Sequence, residues 1–180
     1  MPTKTQNTNS KRTLYYAIGF TLAFILYIAS ILTPAGSCFS VETGSNSLGL
    51  SFSYTKDIVQ NFLESRTEEQ LLCYSQFLQI WDAIFAIIYT LMYASWIVYL
   101  FNKKSWLALI PVLGMVSDWS ENYVELLMIK AYLNAAPISD ELVSIGSGIN
   151  SFKWVLSSLT YLIMLFGIII AIRNFFAKPR

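Results

Sequence analysis

The chain has 180 residues, 55% hydrophobic, 16% aromatic and only 13% charged, with a formal net charge of +1 and a mean hydropathy of +0.51; soluble domains carry charge at about a quarter of their positions, so an ordinary soluble fold is excluded. With no histidine and 2 cysteines, His-ligated iron or zinc, haem with an axial histidine, Ser-His-Asp chemistry and Cys-rich metal clusters are excluded as well. No metal and no cofactor is expected, and any chemistry must run on carboxylates, Lys, Tyr, Ser or Asn.

Four apolar stretches are predicted to cross a membrane: about Leu14 to Thr33, Phe77 to Phe101, Trp106 to Leu133 and Phe152 to Ile172. Each covers the ~30 Å of hydrocarbon at about 1.5 Å per residue. Together with their connections they use nearly the whole chain, giving one all-α domain over residues 1–180, a polytopic four-helix bundle with a short helical outer loop. Lys11 and Arg12 precede the first stretch as they would in a signal peptide, but its apolar run exceeds the usual h-region of about 7–15 residues and reads as a retained helix.

The loop at 34–76 is the only sizeable piece expected outside the membrane. Pro34, Gly36, Gly44 and Gly49 predict irregular chain in its first part. Thr55 then caps a short helix whose apolar face, Ile58, Val59, Phe62 and Leu63, is expected to lie on the outer membrane surface. Thr67-Glu68-Glu69-Gln70 reads as a capping box that starts the second long helix near Glu68, and Ser139-Asp140-Glu141 is a similar start before the last. Cys38 and Cys73 both fall on this outer side; a disulfide and two free thiols are both open. Pro111, Gly114 and Ser117 suggest a loosened or kinked third helix.

Orientation follows from the basic residues. Lys4, Lys11, Arg12, Lys103, Lys104, Arg173, Lys178 and Arg180, eight of the 12 Lys and Arg residues, flank one side of a four-span bundle. Glu42, Asp57, Glu64, Glu68, Glu69, Asp140 and Glu141 fall on the other, which carries only Lys56 and Arg66. Both termini are therefore expected to be cytoplasmic.

The informative residues are the charges within the spans: Asp82, Asp118, Glu121 and Glu125, with Lys130 and Lys153 nearer the outer ends. Such groups are costly in hydrocarbon unless paired or facing a polar cavity. Asp118, Glu121, Asn122 and Glu125 recur at i, i+3, i+4 and i+7, one stripe of the third helix, which must face the bundle interior. Counting residues from the inner boundaries brings Asp82 and Lys153 to the same outer half, outlining a polar funnel that ends near Asp118 and Glu121. Glu121, flanked by an acid on either side, is the expected functional centre. The alternative is that these groups only hold helices together. Four acids against one or two bases argue against it, because each unmatched carboxylate must be protonated, meet water or meet a cation. Glu125 and Lys130 could instead reach the outer headgroups. Trp81, Trp106 and Trp154 read as interfacial anchors, while Tyr89 and Tyr93 either line the funnel or pack between helices.

The Asp82-x-x-Phe85-x-x-x-Tyr89 run, the Asp118-x-x-Glu121-Asn122 motif and the Lys153-Trp154 pair resemble a group of uncharacterised bacterial four-helix integral membrane proteins of about this length. The resemblance implies a multi-pass protein of the bacterial inner (plasma) membrane with Asp82, Asp118, Glu121, Asn122 and Lys153 in one site, and implies no activity. In architecture alone the chain is also similar to sterol-isomerase and sigma-2-receptor-like proteins.

Three functions compete. One is an outward-facing acidic pocket that binds, or also converts by acid/base chemistry, a membrane lipid or lipophilic molecule. There Glu121, Asp118 and Asp82 would be catalytic, with Asn122, Lys153, Glu125, Tyr89 and Tyr93 contributing to binding. The second is a proton or cation pathway, and the third an accessory subunit of a larger membrane complex; a homo-oligomer is also open. Nucleic acid is not an expected partner, because the basic residues are flank anchors rather than a patch.

Overall fold

Every regular element of the computed structural model, which describes residues 4–41 and 47–177, is helical. Glu42, Gly44, Lys178 and Arg180 lie outside the described residues, as do the side chains of Lys4, Lys103 and Lys104.

Helix α1 (residues 4–39) runs as α-helix over Lys4–Tyr27, widens into a π turn at Ile28–Leu32, resumes over Thr33–Gly36 and tightens into a 3-10 turn at Ser37–Phe39. The irregular chain expected from Pro34 and Gly36 is not there. Pro34 falls in the first turn of the resumed segment, where its missing N–H is tolerated. The helix ends with Ser37 Oγ donating to Pro34 O at 2.7 Å and Ser40 Oγ to Gly36 O at 3.1 Å, which satisfies last-turn carbonyls that have no intrahelical partner.

The strap at residues 47–54, containing a 3-10 turn at Leu48–Leu50, lies along the last helix. Helix α2, Lys56–Glu64, is capped as expected, with Thr55 Oγ1 accepting from Ile58 N at 3.4 Å. Its apolar face turns inward, contrary to the membrane-surface placement. Val59, Phe62 and Leu63 are buried in a core with Phe39, Leu71, Tyr74, Val124, Met128 and Ile129, leaving Ile58 outside.

Arg66 is buried beneath this cap. Its Nε donates to Phe39 O at 3.1 Å and Nη1 to Phe62 O at 2.8 Å, with the guanidinium 3.6 Å from the Phe62 ring centroid. Burial pulls its pKa below the ordinary arginine value, but an arginine remains a donor under these conditions.

Helix α3, Glu68–Phe101, starts at the expected capping box: Thr67 Oγ1 accepts from Gln70 N at 3.3 Å and Gln70 Oε1 from Thr67 N at 3.0 Å. It contains a second π turn, Phe77–Asp82. A disulfide joins Cys38 at the end of α1 to Cys73 near the start of α3, Cα to Cα 6.4 Å. A 3-10 connection, Asn102–Ala108, leads to α4, Leu109–Leu133, which begins a few residues after the expected Trp106. Around Pro111, Gly114 and Ser117, where a loosened or kinked helix is expected, the α-helix runs unbroken; Pro111 lies in the first turn, and Gly114 is buried facing Leu156. Regular geometry is interrupted in α1 and α3 instead.

Helix α5, Asp140–Phe176, begins at the Ser139 cap, as the Ser139-Asp140-Glu141 start predicts, and so reaches well ahead of the apolar span expected from Phe152. Its first turns carry Ser144, Ser147, Asn150 and Ser151, polar residues that hydropathy does not register as a span but that remain helical.

Helix α1 packs on α3, α4 on α5, and α3 bridges the two pairs. Three helices are long and apolar enough to cross a membrane: Lys11–Phe39, Glu68–Phe101 and Asp140–Phe176. The fourth expected span, α4, has the length at 25 residues but carries Asp118, Glu121, Glu125 and Lys130, so length and apolarity alone do not identify it as one.

Candidate functional site

The acidic stripe of α4 faces inward. Asp118, Glu121, Asn122 and Glu125 are buried, while Val116, Trp119, Tyr123 and Leu127 on the opposite side are exposed. Lys153 of α5 reaches the stripe: its Nζ pairs with Glu121, lies 3.2 Å from Asp118 Oδ1 and donates to Gly49 O at 3.3 Å. Tyr89 OH, one helix away on α3, donates to Asp118 Oδ2 at 3.0 Å.

Asp82 reaches the group through the π turn of α3. Asn122 Nδ2 donates to Asp82 Oδ2 at 2.8 Å and to Leu78 O at 3.4 Å. Two further carbonyls around that turn are also taken from outside the helix: Trp81 O by Tyr27 OH at 2.8 Å and Ala83 O by Trp119 Nε1 at 3.2 Å. Side chains from two neighbouring helices thus occupy acceptors around the turn, a recognised circumstance for π bulges, which recur at functional sites.

These groups border a cavity of about 510 Å³. Asp82, Asp118, Asn122 and Lys153 line it beside the strap residues Ser47, Gly49 and Leu50; Phe24, Phe85, Tyr89, Tyr93, Trp154 and Tyr161 make much of the rest. The aromatic wall is continuous, with ring centroids 5.5 Å apart for Phe85 and Tyr89, 6.1 Å for Tyr89 and Tyr93, and 5.7 Å for Tyr93 and Tyr161. The chamber therefore sets an acidic cluster against a largely aromatic, apolar wall.

Two expected members of the site stand behind this wall. Glu121 is 0% exposed and does not line the cavity. The strap covers it: a Cβ on Gly49 would lie 2.8 Å from Glu121 Oε1 and 3.2 Å from Lys153 Nζ. Glu125, expected to contribute to binding with the outer headgroups as the alternative, is 1% exposed and accepts from Tyr74 OH. Lys130 is exposed near the end of α4.

Several contributors were not legible as such. Trp154, read as an interfacial anchor, lines the cavity and donates from Nε1 to Gly49 O at 3.1 Å. It continues a stripe on α5: Ser147 Oγ accepts from Tyr54 N at 2.9 Å, Asn150 Nδ2 donates to Ser51 O at 2.5 Å, and Ser151 Oγ to Phe52 O at 3.0 Å. Residues 147, 150, 151 and 154 share a helix face, and that periodicity was the available signal. Tyr74 gave none. Tyr54 is buried with its hydroxyl unpartnered; burial first, then the nearby Glu125 and Glu121 carboxyls, pushes that phenol above its ordinary pKa. No group of three or more His, Cys, Asp or Glu suited to a metal occurs among the described residues.

Comparison with protein-family models, with curated proteins and with solved structures gives no match.

Proposed function

We propose that this is a multi-pass membrane protein whose cavity binds a lipophilic molecule by a polar end, and that the carboxyl groups of Asp82 and Asp118 serve acid/base conversion of that molecule. The observation carrying the reading is the inverted polarity of α4: its acids and amide point in while Leu113, Val116 and Tyr123 point out. In water such a helix would turn the other way round. In lipid it is the arrangement that keeps charge away from hydrocarbon.

By the same argument α4 crosses with α1, α3 and α5 as a fourth span. The Cys38–Cys73 disulfide favours an oxidising compartment on the loop side, and Lys11, Arg12 and Arg173 at the other end favour cytoplasmic termini. A bacterial inner (plasma) membrane location, as in the four-helix group the motifs resemble, belongs to this proposal.

The cavity volume falls in the range of small-molecule sites, about 300–1,000 Å³, and its aromatic walls suit an apolar body. Asp82 and Asp118 face the chamber. Asn122 orients Asp82, and Tyr89 with Lys153 orients Asp118; Glu121, out of reach of a ligand, acts by holding Lys153. An inward stripe speaks for a pocket over a docking face for an accessory subunit.

Native mass spectrometry of protein released from lipid nanodiscs tests the reading. A lipid-like species should accompany the wild type and be lost in Asp82→Asn and Asp118→Asn, with helicity unchanged by circular dichroism. Equal retention of that species in both variants, or no bound species in the wild type, would overturn it.

A further inference from the structure

Helices α1 and α5 both pack on α3 and both border the cavity, but they make no extensive contact with each other. Lining residues that reach the surface mark the gap between them: Thr33 on α1, Leu50 on the strap, 65% exposed, and Tyr161 on α5, 50% exposed. Among the described residues the cavity thus has its mouth between α1 and α5. Trp154 Nε1 donates to Gly49 O at 3.1 Å, which sets Leu50 near the first apolar turn of α5, and Tyr161 lies about two turns further along that helix. Residues exposed along the same stretch, Leu26 and Ile31 of α1 and Leu159 and Leu162 of α5, are apolar. With four spans, such a mouth faces hydrocarbon in the outer half of the bilayer, and a ligand passing through it comes from lipid rather than from water.

Asp82 is the least matched charge on the cavity wall. Its Oδ2 accepts from Asn122 Nδ2 at 2.8 Å; among the described residues no other side chain donates to this carboxyl group and no base pairs with it. Lys153 is already shared by Asp118 and Glu121. Arg66, the other buried base, belongs to the cap, where it donates to the carbonyls of Phe39 and Phe62, and it does not line the cavity. Even with both bases counted, Asp82, Asp118, Glu121 and Glu125 leave the interior with more acids than cations. An anionic head would add to that excess, whereas an ammonium offsets it and supplies the donors that Asp82 lacks. Phe85 and Tyr89 follow Asp82 on the same helix face and line the same cavity, and aromatic faces beside a carboxylate suit a cation as well.

We infer that the cavity takes a bilayer-resident amphiphile with an amine head and a long hydrocarbon chain, which enters between α1 and α5, sets its ammonium on Asp82 beside Phe85 and Tyr89, and leaves its chain in the mouth. This rests on the binding function proposed for the cavity and adds to it the chemistry of the head and the direction of entry. The aromatic wall that continues through Tyr93 to Tyr161 then lies along the chain, from the seat of the head to the rim.

Octadecyl probes that carry a mid-chain diazirine and differ only in the head, an amine, an alcohol or a carboxylic acid, test this on the full-length protein in phosphatidylcholine nanodiscs, with labelled peptides read by mass spectrometry. Labelling by the amine should be displaced by unreactive octadecylamine and should fall on the segments that flank the mouth, residues 31–36 and 157–162. It should exceed displaceable labelling by either other probe about tenfold, the gain from a hydrogen bond to a charged group, and a folded Asp82→Asn should lose a similar factor. The comparison of heads is made on the wild type, so it holds even where Asp82→Asn fails to fold. Displaceable labelling by the alcohol or the acid equal to that by the amine overturns the amine head while leaving lipophile binding by the cavity intact, as does undiminished amine labelling in a folded Asp82→Asn. Displaceable labelling confined to other segments overturns the mouth. No displaceable labelling by any of the probes overturns the inference together with the binding function it rests on.

Discussion

Lys153 is the residue on which the buried charges depend. Its ammonium meets Asp118, Glu121 and the Gly49 carbonyl, and its aliphatic stem crosses from α5 to α4. Removing it strands two carboxylates in a low-dielectric interior, whereas neutralising one of them leaves the lysine still paired. Breaking a buried ion pair from one side costs about 3–5 kcal/mol. Lys153→Met should therefore unfold far more readily than wild type in detergent, Glu121→Gln only modestly, and the double variant should recover part of the loss. Thermal unfolding of the four proteins checks this. Equal destabilisation by both single changes, with simple additivity in the double, would mean the pair is not coupled.

The same scale shows why Glu121 is misjudged from sequence. Its position between Asp118 and Glu125 on one helical stripe is readable from spacing alone. Its concealment is not, because the covering atoms belong to Gly49, whose missing Cβ leaves room for the strap over the carboxyl.

Among the elements, α1 and α3 are the pair whose relation rests on a covalent bond. The Cys38–Cys73 bridge closes a loop of sequence separation 35, for which chain entropy predicts about 3–4 kcal/mol of stabilisation. Within the ring lie the strap, α2 and the buried Arg66. Cys38→Ser together with Cys73→Ser should lower the melting temperature and increase proteolysis between residues 40 and 67, while helicity of α4 and α5 persists. Circular dichroism and limited proteolysis separate this outcome from global unfolding, and an unchanged melting temperature would show that the noncovalent cap suffices.

Element boundaries were legible where a local cap sets them. Thr55, Thr67 and Ser139 each accept a hydrogen bond from an N–H within the first turn, and each is readable from a few adjacent residues. The two π turns were not, because the side chains taking carbonyls around the second, Tyr27, Trp119 and Asn122, come from other helices.

For the whole molecule, the distribution of polarity decides the solvent. The packed apolar core lies at the loop end, among Phe39, Phe62, Tyr74 and Met128, while the middle of the bundle holds carboxyl groups and shows apolar side chains outward. A protein so arranged should extract only with detergent. Tags at either terminus should remain unlabelled by an impermeant reagent in intact cells and react after permeabilisation. Labelling of a terminal tag from outside would reverse or break the proposed four-span topology.

The helical class, the three caps, the inward direction of the α4 stripe and the presence of helices long and apolar enough to cross a membrane were determined by the sequence itself. Each depends on composition or on residues within about two turns of one another. Tertiary structure alone decided that Cys38 bonds Cys73, that α2 turns its apolar face to the core, that Asp82 and Asp118 rather than Glu121 border the cavity, and that Trp154 joins its wall. Those outcomes rest on contacts such as Lys153 with Gly49, 104 residues apart. No local periodicity encodes which of several buried acids a distant strap will cover, because the choice is made by how whole helices pack and where the chain between them finds room.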